Sequence, residues 1–102
     1  MYKLDVSDRA NNDLDRIIGY ITHKLKVPMA ATNFAEEVDA CYDRLEDNPY
    51  IYEECRDCRL QREGYRRAVI NNYIMLYKIY ESKKEVIVHA FFYGGQDYIN
   101  LI

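Results

Sequence analysis

The feature that most constrains this chain is its last third, where three strand-like runs follow one another with hardly a gap. Gly64-Tyr65-Arg66-Arg67-Ala68-Val69-Ile70 leads to Tyr73-Ile74-Met75-Leu76-Tyr77-Lys78-Ile79-Tyr80, and then to Val86-Ile87-Val88-His89-Ala90-Phe91-Phe92-Tyr93. The segment closes Gly94-Gly95-Gln96-Asp97-Tyr98. Asn71-Asn72 suits a two-residue hairpin turn, because asparagine tolerates positive φ. Ser82-Lys83-Lys84 does the same for the second hairpin. Short runs joined by tight polar connections predict a small antiparallel meander.

The first half must supply what covers that sheet. Tyr2 to Val6 alternates, with Tyr2, Leu4 and Val6 on one side, which is the pattern of a half-buried strand. Ser7 is a good N-cap and Asp8 places a negative charge in the first turn. Leu14, Ile17, Ile18, Ile21 and Leu25 form one apolar stripe on a helix from about residue 8 to 25. Asp13, Arg16, Tyr20 and Lys24 take the opposite face. Pro28 suits the first position of a second helix. Its stripe is Ala31, Phe34, Ala35, Val38, Cys41, Tyr42 and Leu45. Asn48-Pro49 ends it, since the residue before proline leaves helical geometry. Residues 49–63 are the least regular part, with room for a short helical turn.

The two stripes need an apolar partner, so the helical hairpin covers one face of the sheet. The expected fold is a two-layer α+β domain in the order β-α-α-β-β-β, with the N-terminal strand inserted beside the C-terminal ones. A length of 102 residues makes one domain, residues 1–102, too small for a large enclosed cavity.

Charge and cysteines narrow the chemistry. The net charge is −3, so the chain as a whole does not attract nucleic acid. Arg56, Arg59, Arg62, Arg66 and Arg67 put five of the eight arginines into twelve residues, after an acidic stretch from Glu36 to Glu54. Cys55-x-x-Cys58 has the spacing of half a zinc site, but only Cys41, His23 and His89 remain to complete four ligands, and no second pair is suitably spaced. Cys41 falls on a helix stripe, where a thiol behaves as a small hydrophobe. Cys55 and Cys58 read as loop or edge thiols. No metal and no cofactor is expected. The N-terminus carries no apolar segment of signal-peptide type and no run approaches about 20 apolar residues, so a cytoplasmic protein with reduced thiols is expected.

The ordered combination resembles the RelE/ParE superfamily of toxins from type II toxin–antitoxin pairs. Ser7-Asp8-Arg9-Ala10 leading into Asp13-Leu14 resembles the opening of the ParE branch. Pro28-Met29-Ala30-Ala31 with Phe34 is similar to the second helix of that family, and Leu45 to Pro49 to its end. Leu60 with Gly64-Tyr65-Arg66-Arg67 resembles the start of the family sheet. Tyr73 to Tyr80 and Tyr93 to Leu101 resemble its last strands and tail. The resemblance implies a plasmid-stabilisation toxin, bound by a small antitoxin and assembled into oligomers through that complex. The RelE branch cleaves mRNA on the ribosome. The ParE branch poisons DNA gyrase without a known hydrolytic site.

The family pattern departs at the cations. RNA cleavage by 2′-hydroxyl attack needs a base, an acid and cations for the phosphorane. Ile74 stands where the family arginine would be, Gly95-Gln96 replace the arginines after the last strand, and Tyr93 replaces a histidine. Remaining catalytic candidates are Arg66 or Arg67, which face opposite sides of their strand, with Lys78, His89 and Tyr98. Lys78 shares a face with Ile74; His89 is placed with Ile87, Phe91 and Tyr93. Histidine titrates in the useful range, but a strand histidine is also an ordinary structural residue. For binding a target or antitoxin, the candidates are Arg56, Arg59, Arg62, Arg66, Arg67, Tyr93, Gln96 and Tyr98. Tyr77 is assigned to packing on the covered face, and Tyr93 and Tyr98 to a partner. Three functions follow: a ParE-like toxin acting on gyrase, a RelE-like ribosome-dependent nuclease with atypical residues, and a non-toxic relative kept as an interaction module.

Overall fold

The computed structural model describes residues 1–102. Strand β1 (Lys3–Val6) runs into helix α1 (Asp8–His23), and helix α2 (Pro28–Asp47) returns antiparallel to it. Ser7 is extended, and its hydroxyl accepts from Ala10 N–H at 3.1 Å, which starts α1 where the capping pattern places it. Pro28 occupies the first turn of α2. Asn48 ends that helix, and its side chain accepts from Tyr50 N–H at 3.2 Å, starting a 3₁₀ turn over Pro49–Ile51.

The irregular stretch holds one more helix, α3 (Cys58–Arg62), capped by Asp57 through Leu60 N–H at 3.0 Å. The meander follows as β2 (Tyr65–Ile70), β3 (Tyr73–Tyr80) and β4 (Glu85–Tyr93), and a short α4 (Tyr98–Leu101) closes the chain. Asn71 takes φ 54° at the first turn and Lys84 φ 50° at the second. Gly94 is needed where it stands: a Cβ there would lie 3.0 Å from the Asn72 carbonyl oxygen.

The sheet order is β1-β4-β3-β2, with β1 parallel to β4 and the other pairs antiparallel. The helical hairpin covers one face, as the stripes require. Phe34, Val38, Cys41 and Leu45 pack there against Ala68, Met75, Tyr77, Val86, Val88 and Phe91. Tyr77 lies on this covered face, and its hydroxyl donates to Pro49 C=O at 2.7 Å. No helix is long and apolar enough to cross a membrane.

Two assignments by periodicity fail, each for its own reason in the middle of β4. Leu76 pairs with Ala90 and Tyr77 with Val88, so His89 is an extra residue, a β-bulge. Val86 and Val88 face the helices before the bulge, and Phe91 does so after it. His89 therefore shares a face with Ile87 but not with Phe91 or Tyr93. The same region corrects Asp13, placed by periodicity on the solvent face of α1 but found buried. Strand β1 pairs with β4 only as far as Val88, which leaves the later β4 backbone without a strand partner on the edge away from β3. Ser7 N–H donates to Val88 C=O and Ser7 Oγ to His89 C=O, at 2.9 and 3.0 Å. Asp13 Oδ2 accepts from Phe91 N–H at 3.1 Å. The buried carboxylate stands in for the missing strand.

The other face is not bare. Cys55, Leu60, Ile74, Leu76, Ala90 and Phe92 form a second small core, with Tyr65, Tyr98, Ile99 and Ile102 packed on it. Helix α3 and the C-terminal turn supply this cover. Cys55 lies in the loop beside the outer edge of β2 but is buried, and burial pushes it up to about 11. Cys58 is exposed.

Candidate functional site

On the face away from the hairpin, side chains alternate as Tyr65, Arg67 and Val69 on β2, and Ile74, Leu76, Lys78 and Tyr80 on β3. The structure brings the candidate residues together in two groups. Arg67 and Tyr98 make the first. Arg67 Nη1 donates to the Tyr98 hydroxyl at 3.2 Å. Its Nε lies 3.3 Å from the Glu53 carboxylate but without the alignment of a hydrogen bond. The Tyr98 ring stacks on Phe92 with centroids 5.9 Å apart.

These residues border an open cleft of about 410 Å³ at the end of the sheet, with Val69, Asn72, Tyr93 and Gly95. Tyr93 is 53% exposed. Its ring lies over Gly95, where a Cβ would come within 2.8 Å of it. Gln96 folds back beneath, its Oε1 accepting from Tyr93 N–H at 2.7 Å. Ile74, at the position of the family arginine, is buried in the second core.

Lys78 and His89 make the second group, with two tyrosines the sequence reading did not include. Lys78 Nζ sits 4.4 Å from the centroid of the Tyr65 ring. The His89 ring meets Tyr65 edge-on, and its Nε2 lies 3.3 Å from the Tyr80 hydroxyl. Burial, and then the Lys78 ammonium, hold His89 below the ordinary histidine range, so it is neutral near pH 7. No hydrogen bond or ion pair joins this group to Arg67 and Tyr98, although Tyr65 and Tyr98 pack on the same small core. The pairing Tyr65–Lys78 next to Arg67–Leu76 was readable as hairpin register; the bulge that aims His89 at Tyr65 was not.

The arginine-rich stretch does not form one basic surface. Arg66 points to the other face from Arg67. It donates to Tyr52 C=O at 2.7 Å and lies over the Tyr50 ring. Arg56 is 3.9 Å from Glu53, and Arg59 pairs with Glu63 at 2.8 Å. Arg59 also donates to the Ile99 carbonyl, and Arg9 to that of Leu101 at 3.2 Å. Two arginines thus satisfy carbonyls at the C-terminal end of α4 and hold it against the sheet. Arg62 makes no ion pair, and no group of three or more His, Cys, Asp or Glu residues could hold a metal ion.

The fold has known counterparts. The toxin–antitoxin complex RelBE2 of Mycobacterium tuberculosis superposes with a TM-score of 0.63 at 18% identity, covering 90% of this chain and 90% of that one. The chromosomal ParDE toxin–antitoxin system of Pseudomonas aeruginosa gives a TM-score of 0.70 at 16% identity, covering 91% and 96%. No curated protein sequence matches. The family described as "ParE toxin of type II toxin-antitoxin system, parDE" matches residues 4–98. With that match over nearly the whole length, on a strand, helical hairpin and meander of the same architecture, the chain belongs to the ParE toxin family.

Proposed function

We propose that this toxin acts by binding a protein target, DNA gyrase, and not by cutting RNA, and that a small antitoxin holds it in check. The observation that carries this reading is the covered second sheet face. The strand positions a nuclease of the RelE type would use for cations hold an apolar core under Leu60, Ile99 and Ile102. Arg67 is the one arginine directed onto that face from the sheet, and it is already engaged by Glu53 and Tyr98. Phosphoryl-transfer chemistry needs base, acid and cation around one scissile bond; the available groups lie in two separate places.

An antitoxin segment has a matching edge to pair with. The outer edge of β2 is half occupied: Cys55 N–H donates to Tyr65 C=O and Arg67 N–H to Glu53 C=O, at 3.0 and 3.1 Å. By strand alternation the N–H and C=O of Val69 face the same way, beyond the end of that short pairing. An extended segment added there would continue the bridge and pass beside Arg67.

Gyrase supercoiling in the presence of the purified chain tests the target: supercoiling should fall with added toxin and recover with antitoxin. Unchanged supercoiling at high toxin concentration sinks the gyrase reading. The Lys78–His89 group favours the nuclease alternative, which primer extension on mRNA during expression would reveal as cuts within codons. Intact mRNA in arrested cells rejects that alternative.

A further inference from the structure

A second slot opens on the other side of Tyr93 from the Arg67 cleft. It encloses about 270 Å³ between α1 and the end of the sheet, with Asp13 and Phe91 among its lining residues and Arg16, Tyr20, Tyr73 and Tyr93 at its walls. It shares only Tyr93 with the Arg67 cleft.

The slot has a definite chemistry. Tyr73 and Tyr93 meet edge-on with centroids 5.9 Å apart. Tyr20 lines the same slot as these two rings, and burial holds the Tyr73 hydroxyl above its ordinary range. Tyr77 donates to Pro49, and Tyr2 and Tyr50 to Glu81; the hydroxyls of Tyr20, Tyr73 and Tyr93 meet no partner in the protein. Arg16 pairs with Asp13, yet its side chain is 76% exposed. Asp13 is shared with Arg9 and with Phe91 N–H, so Arg16 keeps donors to spare. The mouth therefore offers phenol O–H groups and a guanidinium above aromatic walls. That set suits a carboxylate carried next to an apolar side chain. Asp15 beside Arg16 and the acidic net charge disfavour a polyphosphate strand.

We infer that this slot is a second anchoring point for the antitoxin, taking an acidic side chain of the segment that crosses Tyr93 from the Arg67 cleft. The inference rests on the antitoxin reading above. Tyr93 lines both clefts, so one extended segment over its ring reaches Arg67 on one face and Arg16 on the other. Rigid aromatic anchors with a central cation are the usual composition of a binding hot spot.

The test is affinity for the antitoxin encoded beside the toxin gene, measured by calorimetry at two salt concentrations. Arg16→Gln and Tyr20→Ala should each weaken binding about 10- to 100-fold, the range for losing a hydrogen bond to a charged group. Arg16→Gln should also flatten the salt dependence. Tyr20→Phe, which keeps the ring, should lose less than Tyr20→Ala. Melting temperature monitors the fold, and Arg16→Glu should be rescued by one Asp or Glu→Lys substitution in the antitoxin. Binding within twofold of the parent for both Arg16→Gln and Tyr20→Ala, while Arg67→Ala weakens it, overturns the second anchor alone. Failure of the parent chain to bind its antitoxin overturns the underlying reading instead. Loss of single-stranded RNA binding in Tyr20→Ala with antitoxin affinity unchanged assigns the slot to nucleic acid and also overturns the inference.

Discussion

Asp13 sits among polar positions of an amphipathic helix and is nonetheless buried, because the β4 backbone beyond Val88 has no strand to pair with on the β1 side. Asp13→Ala should cost about 1–3 kcal/mol in urea unfolding, the range for orphaning a buried donor, here Phe91 N–H. Asp13→Asn keeps an acceptor and should lose less; equal losses would mean that the ion pairs with Arg9 and Arg16 matter more than the hydrogen bond. Arg67 and Arg66 are sequence neighbours with different duties. Arg66 ties Tyr52 C=O and the Tyr50 ring to the sheet, whereas Arg67 borders the open cleft. Arg66→Ala should therefore lower the melting temperature, and Arg67→Ala should weaken antitoxin binding with little change in melting. The reverse pattern would exchange the two roles.

At the scale of elements, the bulge at His89 and the two short helices decide what the second face can do. The bulge lets Val88 and Phe91 both face the hairpin while Ala90 and Phe92 face away. Deleting His89 would place Val88, Ala90 and Phe91 in strict alternation opposite Tyr77, Leu76 and Met75, so Phe91 would stay in the main core and only the side chain that reaches Tyr65 and Tyr80 would be lost. The expected result is cooperative unfolding retained, read by near-ultraviolet circular dichroism; a non-cooperative transition would mean that the strand slips by one residue instead. Helix α3 contributes Leu60, fully buried under the sheet. Leu60→Ala should cost about 2–5 kcal/mol, as large-to-small core changes do. It should also raise hydrogen exchange in α4, because Ile99 and Ile102 pack on the same cluster. Unchanged exchange there would mean that Arg9 and Arg59 alone retain the tail.

For the whole molecule, the N-terminal segment, the turn after α2 and the second hairpin are joined through Glu81. Its carboxylate accepts from Tyr2 and Tyr50, each at 2.6 Å, and pairs with Lys84 at 2.6 Å. The hydrogen bond from Lys84, then those from Tyr2 and Tyr50, lower it from 4.5 to about 2. A depressed carboxylate stabilises the fold above its unfolded value, and that contribution is lost as pH falls through the folded one. Glu81→Gln should therefore flatten the pH dependence of stability between about 4.5 and about 2. Parallel curves for the variant and its parent across that window would refute the linkage. The sequence by itself determined the element order, the hairpin turns, the helix caps and the covered face, because those follow from period, capping chemistry and the need to bury two apolar stripes. It also showed that cations are missing at Ile74 and Gly95-Gln96. Only the tertiary structure decided that the second face is an apolar core, that the arginine-rich stretch divides between two faces and the acidic partners Glu53, Glu54 and Glu63, and that Arg67 meets Tyr98. Those facts depend on a bulge and on contacts between residues far apart in the chain, such as Asp13 with Phe91 and Arg59 with Ile99, which no local pattern records.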